Sequence, residues 1–236
     1  MTAMEDYDNK LTQILYADWS IQDARVVPKT EDVAQRDGAK RITATYLYAD
    51  MADSTLLVKR FEPEMSARVI RSYLRIAVDC IRGKGGHIRS FDGDRVMGIF
   101  IGDTQRNDAV AAALNISWVV EKALNPKLEA KLGQSPNKWN VSHRSGVAYG
   151  ETFIVRGGAR NNNDLVSIGD APNIAAKLSG IRGESGSITV TSSVYYALLD
   201  HNKTAKTGES MWKKRDQKLV GPHSVDTYSS GWMREP

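Results

Sequence analysis

The chain has 236 residues, 41% hydrophobic and 25% charged, which fits a globule with one sizeable core and excludes a disordered or fibrous chain. Basic residues number 32 and acidic residues 28, and the resulting charge of +4 is too small to track a nucleic-acid backbone but fits a polyanion pocket. A single cysteine, Cys80, and four scattered histidines, His87, His143, His201 and His223, exclude a disulfide framework and a zinc site.

Residues 1–40 read as an N-terminal arm. It holds a short helix over Tyr7–Tyr16 and a polar, aperiodic stretch from Ala24 to Lys40, broken at Val26–Val27–Pro28. Its acidic start has no apolar leader, and no segment approaches a membrane span, so a cytoplasmic protein is expected. The regular domain covers residues 41–236. A strand over Ile42–Ala49 is rich in Thr, Tyr and Ile and ends at Asp50. Met65, Val69, Tyr73, Ile76 and Cys80 then mark one apolar stripe of a helix that starts near Pro63 and stops at Gly83, Gly85 and Gly86. His87–Phe91 is a strand, Asp92–Gly93 a hairpin signal, and Arg95–Ile101 the returning strand.

A second long helix is expected over Asp103–Ala130, with Ala109, Ala113, Ile116 and Val120 on one face, and a loop over Gln134–Lys138. Trp139–Tyr149 reads as a strand, with Gly150–Val155 as its partner or extension. The Gly- and Asn-rich stretch Arg156–Asp164 reads as a loop. Ala171–Ile181 is a helix with Pro172 in its first turn, Ser187–Val190 a strand, Ser192–Leu199 a short helix, and the tail alternates near Ser224–Tyr228. The order from Ile42 is strand, helix, strand, strand, helix, strand.

The chemistry concentrates on two carboxylates at neighbouring strand ends. Asp50 lies in Tyr46–Leu47–Tyr48–Ala49–Asp50–Met51–Ala52–Asp53–Ser54–Thr55, and Asp94 in Ser90–Phe91–Asp92–Gly93–Asp94 before Arg95–Val96–Met97–Gly98–Ile99–Phe100. Such a pair can hold two divalent cations against a triphosphate and open it at the α-phosphorus. Asp53 reads as a turn or cap residue rather than a ligand, and Asp92 as turn-forming.

These blocks, with Ser145–Gly150, Ile168–Leu178 and the Gly186–Val190 strand, resemble the catalytic domain of class III nucleotidyl cyclases, the adenylate and guanylate cyclase family. The likeness runs from about residue 41 to 230. It implies an α/β fold of the α+β sandwich type, with a ferredoxin-like βαββαβ core and C-terminal additions. It also implies a homodimer, head to tail, with active sites at the subunit interface. The family's metal-binding aspartates fall on Asp50 and Asp94, with the Met51 backbone carbonyl as a further ligand to two Mg²⁺ or Mn²⁺. Amides from Ala52, Asp53, Ser54 and Thr55 would cradle phosphate oxygens. The transition-state asparagine falls on Asn173. The arginine four residues later is here Lys177, which keeps the charge and loses the rigid fork. The lysine for the triphosphate end precedes a glycine in the family. Here Val220 precedes Gly221, and Lys218 is the nearest candidate, ahead of the basic run Trp212–Arg215, which reads as a solvated face.

The base-reading positions depart from the purine pattern. Where the family has a lysine or glutamate this chain has Ser90, and where it has an aspartate or cysteine this chain has Val166. A purine ring would leave polar groups unpaired at roughly 1–3 kcal/mol each. Tyr48 shares the strand face of Asp50 and would fill the floor where a second ring goes. This pattern resembles the bacterial uridylate and cytidylate cyclases of antiphage defence, whose cyclic nucleotide is read by a separate effector protein. Arg89 and Ser90 can donate to uracil O4, although strand alternation turns them apart unless a bulge intervenes. No carboxylate meets a cytosine amino group unless Asp92 or Asp164 turns inward. UTP is therefore the expected substrate and cyclic UMP the product. CTP, then ATP, then an inactive nucleotide-binding domain are the alternatives, and neither nucleic acid nor membrane is expected as partner.

Overall fold

The computed structural model describes residues 2–133, 138–159, 161–182, 186–220 and 223–236. The expected loop over Gln134–Lys138 lies almost wholly outside them, as does Gly221. In chain order the elements are α1 (Ala3–Leu15), β1 (Ser20–Asp23), β2 (Gly38–Met51), α2 (Ser54–Arg60), α3 (Pro63–Gly83), β3 (His87–Asp92), β4 (Arg95–Phe100), α4 (Gln105–Val119), α5 (Asn125–Leu132), β5 (His143–Ala159), β6 (Asn162–Ile168), α6 (Asp170–Ser179), β7 (Ile188–Thr191), α7 (Ser192–Tyr196), α8 (Asp200–Lys203), β8 (Lys213–Val220) and β9 (His223–Ser230).

One mixed sheet runs β3-β4-β2-β5-β7-β9-β8, with β1 paired to β2 and β6 to β5. The segment β2-α3-β3-β4-α4-β5 with strand order β3-β4-β2-β5 is the ferredoxin-like core; α1 and β1 precede it, α2 lies between β2 and α3, and the elements from β6 onward follow it. β2 lies at its centre, antiparallel to β4 and β5.

Its alternation sorts the core into two layers. Leu47, Ala49 and Met51 pack with Tyr73 and Ile81 of α3 and Leu114 and Ile116 of α4. Ile42, Ala44 and Tyr46 face the other way, against Ala171 and Ala175 of α6. The close seat of α6 depends on Gly146 of β5. A Cβ there would stand 2.1 Å from Ala175 O.

Several expectations need correction. β2 starts at Gly38, four residues before Ile42, and β1 joins the same sheet. The helix expected over Asp103–Ala130 is α4 and α5 joined by a π-helical turn over Val120–Leu124. Gly150–Val155 is the extension of one long strand, β5. Arg156–Ala159 and Asn162–Asp164 are strand, not loop. Arg156, Gly157, Gly158 and Ala159 pair with Leu165, Asp164, Asn163 and Asn162 in a hairpin that prolongs β5 into β6. The solvated face expected of the basic run holds, with Lys213 and Lys214 exposed, and the run opens strand β8, paired to β9.

Candidate active site

Strand register brings the two carboxylates together. Asp50, near the end of β2, lies opposite Arg95 of β4, and Asp94 is the residue before Arg95. Asp92 pairs with Arg95 across the β3–β4 turn, so Gly93 and Asp94 form its two-residue tip. Gly93 takes φ +61 there, a conformation that disfavours any side chain. Asp92 does shape this turn, with its carboxylate on the Arg95 guanidinium at 2.5 Å. Asp53 adopts φ 59 and makes no side-chain cap to α2, so it bends the chain out of β2 by its backbone.

The polar groups around the carboxylates are unevenly satisfied. Asp50 Oδ2 accepts from Arg182 Nη2 at 2.8 Å. Asp94 Oδ2 is buried and has no hydrogen-bond partner among the described residues. The Tyr73 hydroxyl, fully buried on α3, has none either. Burial, then the negative charges of Asp50 and Asp94, push that phenol well above its usual pKa. His143 lies opposite Met51 on β5, 5.9 Å ring to ring from Tyr73. Burial, helped by the Arg144 charge, lowers its pKa to about 4, so its ring is neutral. Its Nε2 meets Ser117 Oγ at 3.2 Å, and Nδ1 is unpaired. Arg144 faces Asp50 in the same register.

These observations fit a divalent cation. A buried, unpaired carboxylate oxygen and a second carboxylate already holding a guanidinium form a site that asks for positive charge. Hard oxygen donors suit Mg²⁺ and Mn²⁺. Among the described residues no group of three or more His, Cys, Asp and Glu gathers, so the side-chain donors are two carboxylates. The Met51 carbonyl, at the last residue of β2, is the nearest backbone oxygen in sequence. The expected phosphate cradle needs one correction. The Ala52 amide donates to Ser142 O at 2.8 Å and is already used, which leaves Asp53, Ser54 and Thr55.

On the base side, a β-bulge between Ile88 and Ser90 breaks the alternation that would separate Arg89 from Ser90. Arg89 reaches β6, where it pairs with the Asp164 carboxylate and donates to Leu165 O at 3.2 Å. Its Nε is buried without a partner. Ser90 lies opposite Met97, as Tyr48 does from the other side of β4. The Tyr48 ring lies 5.5 Å beneath the Arg95 guanidinium. Val166, half exposed, projects from β6.

α6 turns Ala171, Ala175 and Leu178 to the sheet and Asn173 and Lys177, one turn apart, to solvent. Asn173 Nδ2 donates to Gly169 O at 3.1 Å. Among the described residues neither side chain bonds to Asp50 or Asp94 of its own chain. Lys218 lies on β8, the sheet edge four places from β2, roughly 19 Å away at normal strand spacing. Sequence reading left Tyr73 in an apolar stripe and His143 among scattered histidines. Strand register and helix packing alone bring them beside Asp50.

The fold is that of class III nucleotidyl cyclases. A bacterial light-regulated adenylyl cyclase matches with a TM-score of 0.69 at 18% identity, over 84% of this chain and 53% of that one. The adenylyl cyclase CyaB from P. aeruginosa matches with a TM-score of 0.66 at 22% identity, over 83% of this chain and 97% of that one. No protein-family model matches the chain. Two relatives are similar along their whole length. A uridylate cyclase from Rhodovulum sp. (strain MB263) is 37% identical over 100% of this chain and 99% of its own. A uridylate cyclase from Burkholderia cepacia is 34% identical over 98% of each. The chain therefore belongs to the class III nucleotidyl cyclase family and is a nucleotidyl cyclase. Among its described residues no helix is long and apolar enough to cross a membrane.

Proposed function

We propose that the protein converts UTP to cyclic UMP and pyrophosphate, as a homodimer with two Mg²⁺ or Mn²⁺ at each interfacial site. The observation that carries this reading is the adjacency of Asp50 and Asp94 with Asp94 Oδ2 left unpaired. Such ions, when bound by Asp50, Asp94 and the Met51 carbonyl, would supply charge that lowers the pKa of the ribose 3′-hydroxyl and offsets the phosphates. The 3′-hydroxyl gives its proton to water, its oxygen bonds to the α-phosphorus in line, and the bond to the bridging oxygen of the β-phosphate breaks as pyrophosphate leaves.

Asn173 and Lys177 come from a second copy, since α6 presents both to solvent. Asn173 orients the ribose and Lys177 offsets charge on the α-phosphoryl group. Lys218 of that copy serves the triphosphate end, and the amides of Asp53–Thr55 serve the phosphates.

The base reading is supported by a donor and an acceptor side by side. Arg89, with Ser90, donates to uracil O4, and Asp164 accepts from N3–H. Tyr48 forms the floor and Val166 the wall. The full-length similarity to uridylate cyclases supports the same choice. In the cell the protein is a cytoplasmic signal generator of antiphage defence whose product a separate effector reads.

CTP is the second reading, because Asp164, turned onto Arg89, is also the carboxylate that a cytosine amino group requires. Incubation with equal ATP, GTP, CTP and UTP plus Mn²⁺, with mass identification of the products, decides. Cyclic UMP should dominate. Mainly cyclic CMP moves the assignment to the second reading, and mainly cyclic AMP overturns the pyrimidine pocket.

A further inference from the structure

Arg182 follows α6 and spans the gap back to β2. Its Nη1 donates to Ser179 O at 2.9 Å, and its Nη2 to Asp50 Oδ2 at 2.8 Å. The guanidinium is thus fixed to the helix end on one edge and to the carboxylate on the other. The Asp50 side chain is 16% exposed and that of Arg182 41%. Asp94 is different, with one buried oxygen that no described residue satisfies. Of two carboxylates suited to divalent cations, one has a buried oxygen without a partner among the described residues and the other shares an oxygen with a resident guanidinium.

We propose that Arg182 is the counter-ion of Asp50 in the cation-free enzyme, and that it leaves the carboxylate for the β- and γ-phosphates of the nucleotide when a divalent cation takes Asp50. This rests on Asp50 being a metal ligand. Three physical points carry it. A carboxylate with only 16% of its side chain exposed is stabilised by a positive partner, and the guanidinium provides one before a metal arrives. Arg182 uses Oδ2 of Asp50, and an Asp50 that shares two divalent cations with Asp94 uses both of its oxygens, so loading both cations forfeits the ion pair. The freed planar fork then stands beside the most negative group of the substrate, and it matches phosphate oxygens bidentately. Arg182 thereby couples the two binding events. Cation without nucleotide leaves its charge with no phosphate to meet, and cation with polyphosphate gives it a better one.

The test measures binding rather than turnover. Free Mn²⁺ is read by electron paramagnetic resonance as it titrates nucleotide-free protein, in wild type, Arg182→Gln and Arg182→Lys. Pyrophosphate binding is then measured at saturating Mn²⁺ by calorimetry. Arg182→Gln should bind Mn²⁺ about three- to fivefold tighter than wild type, the scale of a partly exposed ion pair. It should bind pyrophosphate at least about threefold more weakly on the same scale. Arg182→Lys, which keeps the charge, should fall between on both.

Equal Mn²⁺ affinity in wild type and Arg182→Gln overturns the displacement. Equal pyrophosphate affinity overturns the phosphate contact. Absence of Mn²⁺ binding to all three proteins overturns the metal assignment of Asp50 itself, a separate failure from either. Arg182 is exposed enough for both variants to fold, and a thermal melt on each confirms it.

Discussion

Two buried polar regions flank this sheet, and they are wired in opposite ways. Around Asn202, at the C-terminal side, the visible donors are matched. Asn202 Nδ2 donates to Asn107 Oδ1 at 3.0 Å, Arg234 Nη1 donates to Asn202 Oδ1 at 2.7 Å, and Trp212 Nε1 donates to Asn202 O at 2.7 Å. Asn107 Oδ1 also accepts from Leu199 N at 2.8 Å. Around Asp50 the opposite holds, for Asp94 Oδ2, Tyr73 Oη, His143 Nδ1 and Ser145 Oγ are all buried without a partner among the described residues. A saturated network stabilises one chain conformation. An unsaturated one, kept in a folded protein despite its cost, is a seat for something the chain does not itself supply.

The sharpest way to break this contrast is Asp94→Asn. The variant removes a charge whose buried Oδ2 has no partner among the described residues, so it should keep its melting temperature within about 2 °C while turnover of UTP falls about a thousandfold, the scale of losing a central charge-stabilising group. A large drop in stability with turnover intact would make Asp94 a structural turn residue instead.

Acid should weaken the unsaturated region next. His143 has its pKa lowered to about 4 in the fold, from about 6.5 in the unfolded chain. The unfolded chain therefore binds more protons between these values. The stability it confers is complete above pH 6.5 and is lost as pH falls toward 4. The loss is on the order of 3 kcal/mol. Urea melts from pH 7 to 4 on wild type and His143→Gln should show this slope in wild type only.

Breaking the saturated region should do the reverse. Asn202→Ala strips partners from Asn107 and Arg234, costing about 1–3 kcal/mol in urea denaturation. Its turnover per folded molecule should match wild type, and a loss of activity beyond the loss of folded protein would tie the network to the site. Smallest is Tyr48→Ala, which opens the expected floor. UTP preference over ATP, measured as a ratio of kcat/KM, should fall about tenfold, the worth of a modest pocket contact. An unchanged ratio would leave Tyr48 as strand packing.

Much of the architecture was legible because its signals are local. The stripe through Val69, Tyr73 and Cys80 is the buried face of α3, and Asp92–Gly93 does sit at a hairpin. The failures are also physical. Gly157, Gly158 and the asparagines that follow have the composition of a loop, yet the long β5–β6 hairpin pairs them. The basic run at Lys213 looks like a solvated face because β8 is an edge strand, where charge outward and hydrogen bonds inward coexist. Arg89 and Ser90 can share a face only through a bulge, which local composition does not place, and β3 carries that register shift between Ile88 and Ser90.

Sequence alone determined the kinds of group present and their spacing along each strand and helix. It put a carboxylate at the end of β2 and another beside a glycine turn, because those features depend on neighbours a few residues away. Tertiary structure alone decided which oxygens stay unpaired, that Arg182 closes on Asp50 across 132 positions, and that Arg89 meets Asp164. Those outcomes depend on strand register and on how closely α6 settles over Gly146, and neither leaves a periodic trace along the chain.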